Sequence, residues 1–116
     1  MITIYGISNC DTVKKSRRHL EQNNIDYHFH DFRKDGLDDA LLHQLLANIT
    51  PETLINKRGT TWRQLTPEQQ QTIMDPRFAA GLLAEHPAII RRPVIRGTNN
   101  EWRIGFDSLT ALTTPT

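Results

Sequence analysis

Cys10 has the clearest chemical potential in this chain, and it is the one cysteine among 116 residues. It follows Ile2-Thr3-Ile4-Tyr5-Gly6, which reads as a short strand, and it precedes a stretch of helical composition. A cysteine at such a junction meets unpaired backbone N–H groups and the positive end of a helix dipole. Both favour the thiolate. Lys14, one turn on, adds to that effect, whereas the carboxylate of Asp11 opposes it. The competing role for a lone cysteine is that of a small buried hydrophobe. Arg91-Arg92 ahead of Pro93 supplies planar forks suited to carboxylates or oxyanions. Lys57-Arg58-Gly59-Thr60-Thr61 combines glycine, hydroxyls and cations as an anion-binding turn does, and as a plain turn does too. Lys14, Lys15, Arg17 and Arg18 read as the solvated face of the first helix. His28 and His30 share a strand face, but zinc ordinarily takes three or four ligands, so no metal site is expected. Ser8 lies too close to Cys10 to act as a separate nucleophile.

The elements that must position these groups follow from periodicity. Ile2 and Ile4 alternate with Thr3 and Tyr5, giving a strand that ends at Gly6. Lys14 to Gln22 lack Gly and Pro, and Val13, Arg17 and Leu20 line one side of a helix that Asn23-Asn24 stop. Ile25, Tyr27 and Phe29 alternate with Asp26, His28 and His30 as a second strand. A β-α-β start of this length predicts two parallel strands joined by a right-handed crossover. Leu37, Leu41, Leu42, Leu45, Leu46 and Ile49 then fall on one helical face. Thr50-Pro51, Thr66-Pro67 and Asp75-Pro76 each put a capping oxygen before a proline, which predicts three short helices. Gln69 stands three residues after Thr66, as a capping box requires. From Pro87 the pattern predicts a return to strand: Ala88-Ile89-Ile90 leads through Arg91-Arg92-Pro93 to Val94-Ile95. Gly97-Thr98-Asn99-Asn100 turns into Trp102, Ile104 and Phe106, so a hairpin is expected. Asp107 to Leu112 reads as a short closing helix, with Thr113 to Thr116 frayed beyond it.

Bulk composition narrows the classes of function. The length is that of one domain, able to bury about 65% of its unfolded surface. Hydrophobic residues make up 37% and charged residues 23%, ordinary values for a soluble protein. Fourteen basic residues against thirteen acidic ones leave a net charge of +1, which argues against a dedicated nucleic-acid binder. No apolar run approaches the ~20 residues that cross a bilayer. The first residues lack the basic lead and apolar stretch of a signal peptide, so a cytoplasmic monomer is expected.

Gly6-Ile7-Ser8-Asn9-Cys10-Asp11-Thr12-Val13-Lys14-Lys15 resembles the active-site opening of the arsenate reductase family, which includes the Spx regulators and the YffB proteins. The resemblance to the YffB branch extends along nearly the whole chain. It continues through His30-Asp31-Phe32-Arg33-Lys34-Asp35-Gly36-Leu37, Asn56-Lys57-Arg58-Gly59-Thr60-Thr61-Trp62-Arg63, Pro87-Ala88-Ile89-Ile90-Arg91-Arg92-Pro93 and Gly105-Phe106. It implies an α/β, thioredoxin-like fold with a mixed sheet: one domain over residues 1–116, with a helical insertion over roughly 37–86. It further implies that Cys10 is the nucleophile and that a cis Arg92-Pro93 bond lies beside it.

Dedicated arsenate reductases hold the oxyanion with three arginines. Arg92 matches one of them. The second falls near Asn56, with Arg58 two residues displaced as a substitute. The third falls at or near Gly105, and Arg103 would point to the same strand face as Gly105. The histidine that precedes the cysteine in those enzymes corresponds to Gly6. These departures argue against arsenate as the natural substrate. The Spx regulators carry a C-x-x-C switch and bind RNA polymerase; the second position here is Val13, which rules out an internal disulfide. A single thiol must be resolved from outside, and glutathione is the expected co-substrate, with no bound cofactor. The resemblance thus implies a glutathione-dependent thiol oxidoreductase. Cys10 and Arg92 would be catalytic, and Thr12, Lys14, Arg58 and Pro93 would serve the substrate or glutathione. Arsenate reduction by the same cysteine and an Spx-like protein-binding regulator without turnover are the alternatives.

Overall fold

The computed structural model describes residues 1–113; the expected fray at 114–116 lies outside them, and Thr113 is still helical. The chain divides into two compact units, Met1–Gly36 with the segment from Arg92 onward, and Leu37–Arg91.

The first unit holds the sheet. Strands β1 (Ile2–Gly6), β2 (Tyr27–Asp31), β3 (Val94–Arg96) and β4 (Trp102–Ile104) lie in the order β2-β1-β3-β4. β1 and β2 are parallel, with Ile4 opposite Phe29 and Gly6 opposite Asp31. β3 runs antiparallel to both β1 and β4, so the sheet is mixed, as the alternation and the hairpin turn predict. Helix α1 (Asp11–Gln22) makes the crossover between β1 and β2. Its buried residues are Val13, Ser16 and Leu20; Ser16 is tolerated there because its hydroxyl donates to the Thr12 carbonyl at 2.7 Å. Arg17 leans outward instead, with its guanidinium 4.2 Å from the Phe29 ring centre. The closing helix runs from Phe106 to Thr113 and packs on α1. Ile2, Ile4, Leu20, Ile95 and Leu109 form the core between the sheet and these two helices. Tyr5 carries the aromatic side of the sheet, stacked on Trp102 at 5.7 Å and close to His30 and Phe32.

The second unit is helical: α2 (Asp39–Asn48), α3 (Pro51–Leu54), α4 (Thr60–Gln64), α5 (Pro67–Ile73) and α6 (Ala80–Glu85). The closing helix of the first unit is therefore α7. Asp38 caps α2 by accepting from the Leu41 amide at 2.9 Å, so Leu37 falls just outside the helix. The Thr66–Gln69 capping box is present in both directions. Two expectations need correction. No helix starts at Asp75-Pro76; the Asp75 carboxylate is taken by Arg77, at 3.0 Å to its amide and 2.8 Å to its guanidinium, and the chain turns before α6. Nor does Pro87 open a strand. Pro87–Ile89 is a 3-10 turn, and only Ile90 makes a sheet-like bridge, to Ile55. The Arg91 amide then donates to the Leu54 carbonyl at 2.8 Å, which holds the segment up to Arg91 in the helical unit. No helix among the described residues is long and apolar enough to cross a membrane.

Candidate active site

The thiol lies where β1 gives way to α1. At the end of β1, Gly6 is covered by Val13: a Cβ at position 6 would sit 2.6 Å from Val13 Cγ2. Val13 is fully buried, and a β-branched side chain in a helix has few other rotamers. No side chain fits at position 6 without displacing it. Residues 7–9 then form a turn whose internal bond, from the Cys10 amide to the Ile7 carbonyl, is long at 3.4 Å. Cys10 itself is the N-cap of α1, with extended backbone at φ −95° and ψ 126°. Its carbonyl accepts from the Lys14 amide at 2.9 Å, the first bond of the helix.

Sγ is partly exposed, and its charge state is set by its neighbours. Partial burial pushes the thiol pKa up. The Val13 amide, the Arg92 side chain, the Thr12 amide and the positive charge of Arg92 together outweigh that, and the pKa falls below its ordinary value. No short cap bond closes on the sulfur, as befits a large, weak acceptor reached by several donors at longer range. The largest helpers are thus backbone amides and Arg92. Lys14, placed one turn along by its spacing, is exposed and enters through its amide bond to the Cys10 carbonyl.

Arg92 reaches Sγ from the segment ahead of β3, and the Arg92-Pro93 bond is cis. Pro93 is buried, and its carbonyl accepts from the Gly105 amide at 2.9 Å, tying it to the start of α7. The arginine pair splits. Arg91 turns into the helical unit, donating from Nε to the Ile55 carbonyl at 3.3 Å, while Arg92 serves the thiol.

Cys10, Thr12, Arg92 and Pro93 therefore belong to one unit, and Arg58 belongs to the other. The segment carrying Arg58 is a side-chain-braced turn: its amide donates to Asn56 Oδ1 at 3.0 Å, and its carbonyl accepts from Arg63 at 3.0 Å. It leads into α4, one turn of helix that the composition of 57–61 did not disclose. Gly105 has a φ of +95°, a region that L side chains rarely adopt. Arg103, its neighbour, lies exposed on β4. His30 is engaged locally, with Nε2 2.8 Å from the Gly36 carbonyl, and no group of three or more metal-ligating side chains occurs among the described residues.

One polar group near the thiol loop was not picked out from its residue type. Asp31, at the end of β2, is buried to 5% exposure. Burial pushes its pKa up, but the Arg33 and Lys34 amides and the Ser8 amide and hydroxyl pull it below the usual carboxylate range. It was visible in the sequence only as part of the His30-Asp31-Phe32 motif.

A profile described as the ArsC family matches residues 5–113. An uncharacterized protein of Haemophilus influenzae is 48% identical over 95 residues, covering 82% of each chain. The solved structure of a YffB protein superposes with a TM-score of 0.82 at 32% identity, covering 98% of this chain and 100% of that one. An arsenate reductase (ArsC) related protein from Brucella melitensis gives a TM-score of 0.75 at 39% identity, covering 95% and 90%.

Proposed function

This chain belongs to the ArsC family, and from that premise we propose that it is a glutathione-dependent thiol oxidoreductase with Cys10 as its nucleophile. Family membership and its arsenate reductase related neighbours support thiol-dependent redox chemistry as the class. The observation that carries the finer reading is a thiol activated by helix amides and Arg92 in a chain with no second cysteine. An activated thiol without an internal partner needs an external one.

In the first step the Cys10 thiolate attacks one sulfur of a substrate disulfide R–S–S–R′. The Cys10 S–S–R bond forms, the S–S bond to R′ breaks, and R′ leaves as a thiolate that takes up a proton. In the second step a glutathione thiolate attacks the R sulfur and returns Cys10 as a thiolate. When R is itself glutathionyl, the product is glutathione disulfide, and the net change is one glutathione thiol consumed for one R′ thiol released. The Val13 and Thr12 amides hold the charge on Sγ before attack and receive it again on release. Arg92 shares that charge. Once Sγ is bonded and neutral, its guanidinium is suited to a carboxylate of the incoming glutathione. Thr12, Lys14 and Pro93 are proposed to line the approach of that tripeptide. The reaction belongs in the cytoplasm, where glutathione is the abundant thiol.

Mass spectrometry after incubation with glutathione disulfide tests this. One glutathionyl adduct per chain, on Cys10, reversed by glutathione, is the expected result. An intact free thiol after prolonged incubation of the folded protein would overturn it.

A further inference from the structure

We infer that Asp31 is a positioning residue for the nucleophile, a buried carboxylate that anchors the Ser8 turn and thereby aims Cys10 at the start of α1. The inference rests on the reading of Cys10 as the reactive thiol. Asp31 stands opposite Gly6 in the β1–β2 ladder, and the Phe32 amide donates to the Gly6 carbonyl at 2.8 Å, so the end of β2 grips the point where the turn begins. The carboxylate accepts from the Arg33 amide at 2.8 Å and the Lys34 amide at 3.4 Å. Its backbone amide donates to Asp35 Oδ2 at 2.9 Å, and its carbonyl accepts from the Asp35 amide at 2.7 Å. The group is thus fixed on its own side. From the other side the Ser8 amide and hydroxyl donate toward it, and Ser8 and Asp31 line one cleft with Arg17, Phe29, Lys34 and Asp35.

The turn needs such an anchor. Its one internal backbone bond is 3.4 Å long, well beyond the usual 2.9–3.0 Å. A turn held weakly from within keeps its shape through outside contacts, and two residues after Ser8 comes the sulfur that must meet the Val13 and Thr12 amides. A carboxylate has about four acceptor sites, enough for the Arg33, Lys34 and Ser8 donors together. An asparagine oxygen has two. The charged groups around this carboxylate are Arg33, Lys34 and Asp35 of its own turn and Arg17 of α1 across the cleft.

The test is the pH profile of Cys10 alkylation by iodoacetamide in the full chain, which does not depend on glutathione. Losing the anchor moves Sγ off its amides and raises the thiol pKa. Losing only a nearby negative charge lowers that pKa. The two effects have opposite signs. In Asp31→Asn the alkylation rate at pH 6 is expected to fall roughly tenfold, one unit of pKa. In Ser8→Ala, which keeps the charge and the buried carboxylate, it is expected to fall roughly threefold, from loss of a single bond to a charged group. A faster rate in Asp31→Asn, or unchanged profiles in both variants, overturns the inference. If Asp31→Asn does not fold, the Ser8→Ala profile decides alone, and an unchanged profile there overturns it. Absence of glutathione adducts on a wild-type thiol that alkylates normally would sink the glutathione reading and leave this one standing.

Discussion

At the residue scale, the lowered pKa of Cys10 rests on two donors that a side-chain inventory does not reveal and one that it does. Two backbone amides and one guanidinium offset the desolvation of a partly buried sulfur. Removing Arg92 takes away both a hydrogen bond and a charge. Arg92→Ala is therefore expected to raise the Cys10 pKa and to slow its alkylation at pH 7 several-fold, with the fold intact. Arg92→Lys, which keeps the charge but not the fork, is expected to recover part of the rate. Alkylation rates from pH 5 to 10 check this; a profile unchanged in Arg92→Ala would reduce the arginine to a surface contact worth roughly 0–1 kcal/mol. That Cys10 and Arg92 would stand together was legible from position and family motif. The roles of the Val13 amide and of Asp31 were not, because a backbone donor has no residue type and a buried aspartate looks like any surface one.

At the element scale, the junction of β1 and α1 depends on the contact between Gly6 and Val13. Gly6→Ala puts a methyl group 2.6 Å from Val13 Cγ2 and is expected to cost about 1–3 kcal/mol by overpacking. Val13→Ala opens the space. Urea unfolding of both single variants and the double variant is expected to show the double variant less destabilised than the sum; strict additivity would refute the contact. The elements with clear periodicity, β1, α1, β2, the β3–β4 hairpin and α7, were legible because their apolar residues repeat at two or at 3.6. Helix α4 was not, since it is one turn long and buries none of its residues, so it has no stripe to read. Asp75-Pro76 makes its capping bond, Asp75 Oδ1 accepting from the Arg77 amide at 3.0 Å, yet the single turn it opens, closed by the Phe78 amide on the Asp75 carbonyl, does not continue into a helix. Ile89 and Ile90 read as strand from their branching, yet Pro87 begins a 3-10 turn there.

At the scale of the whole molecule, the fold is that of the ArsC family while the oxyanion chemistry is depleted. Position 6 has no room for a histidine, and position 105 has room but a backbone at φ +95° that disfavours any side chain. Arsenate is expected to be a poor substrate, because an oxyanion needs donors at all its corners. Arsenate-dependent oxidation of glutathione at the rate of a dedicated reductase would overturn this. Gly105→Arg is expected not to restore it. The family and the mixed sheet were legible in the ordered motifs. The division of labour between Arg91 and Arg92 was not, since adjacent residues of one type differ only in where the chain turns.

The lowered pKa of the thiol at the mouth of α1 has a thermodynamic consequence for the proposed cycle. A folded-state thiol pKa below the unfolded one contributes stability that is fully present above the unfolded pKa. That stability is lost as the pH falls through the folded pKa. A mixed disulfide carries no charge on Sγ and has none of this stability at any pH. The glutathionylated protein is therefore expected to melt below the reduced protein at alkaline pH and to draw level with it as the pH falls through the folded pKa. A gap that does not change with pH would show that the helix does not favour the thiolate. By the same cycle, whatever stabilises the reduced form makes the mixed disulfide a stronger oxidant. In the proposed cycle the amides that favour the attacking thiolate also make it a ready leaving group, so a single helix end serves both the formation of the intermediate and its discharge.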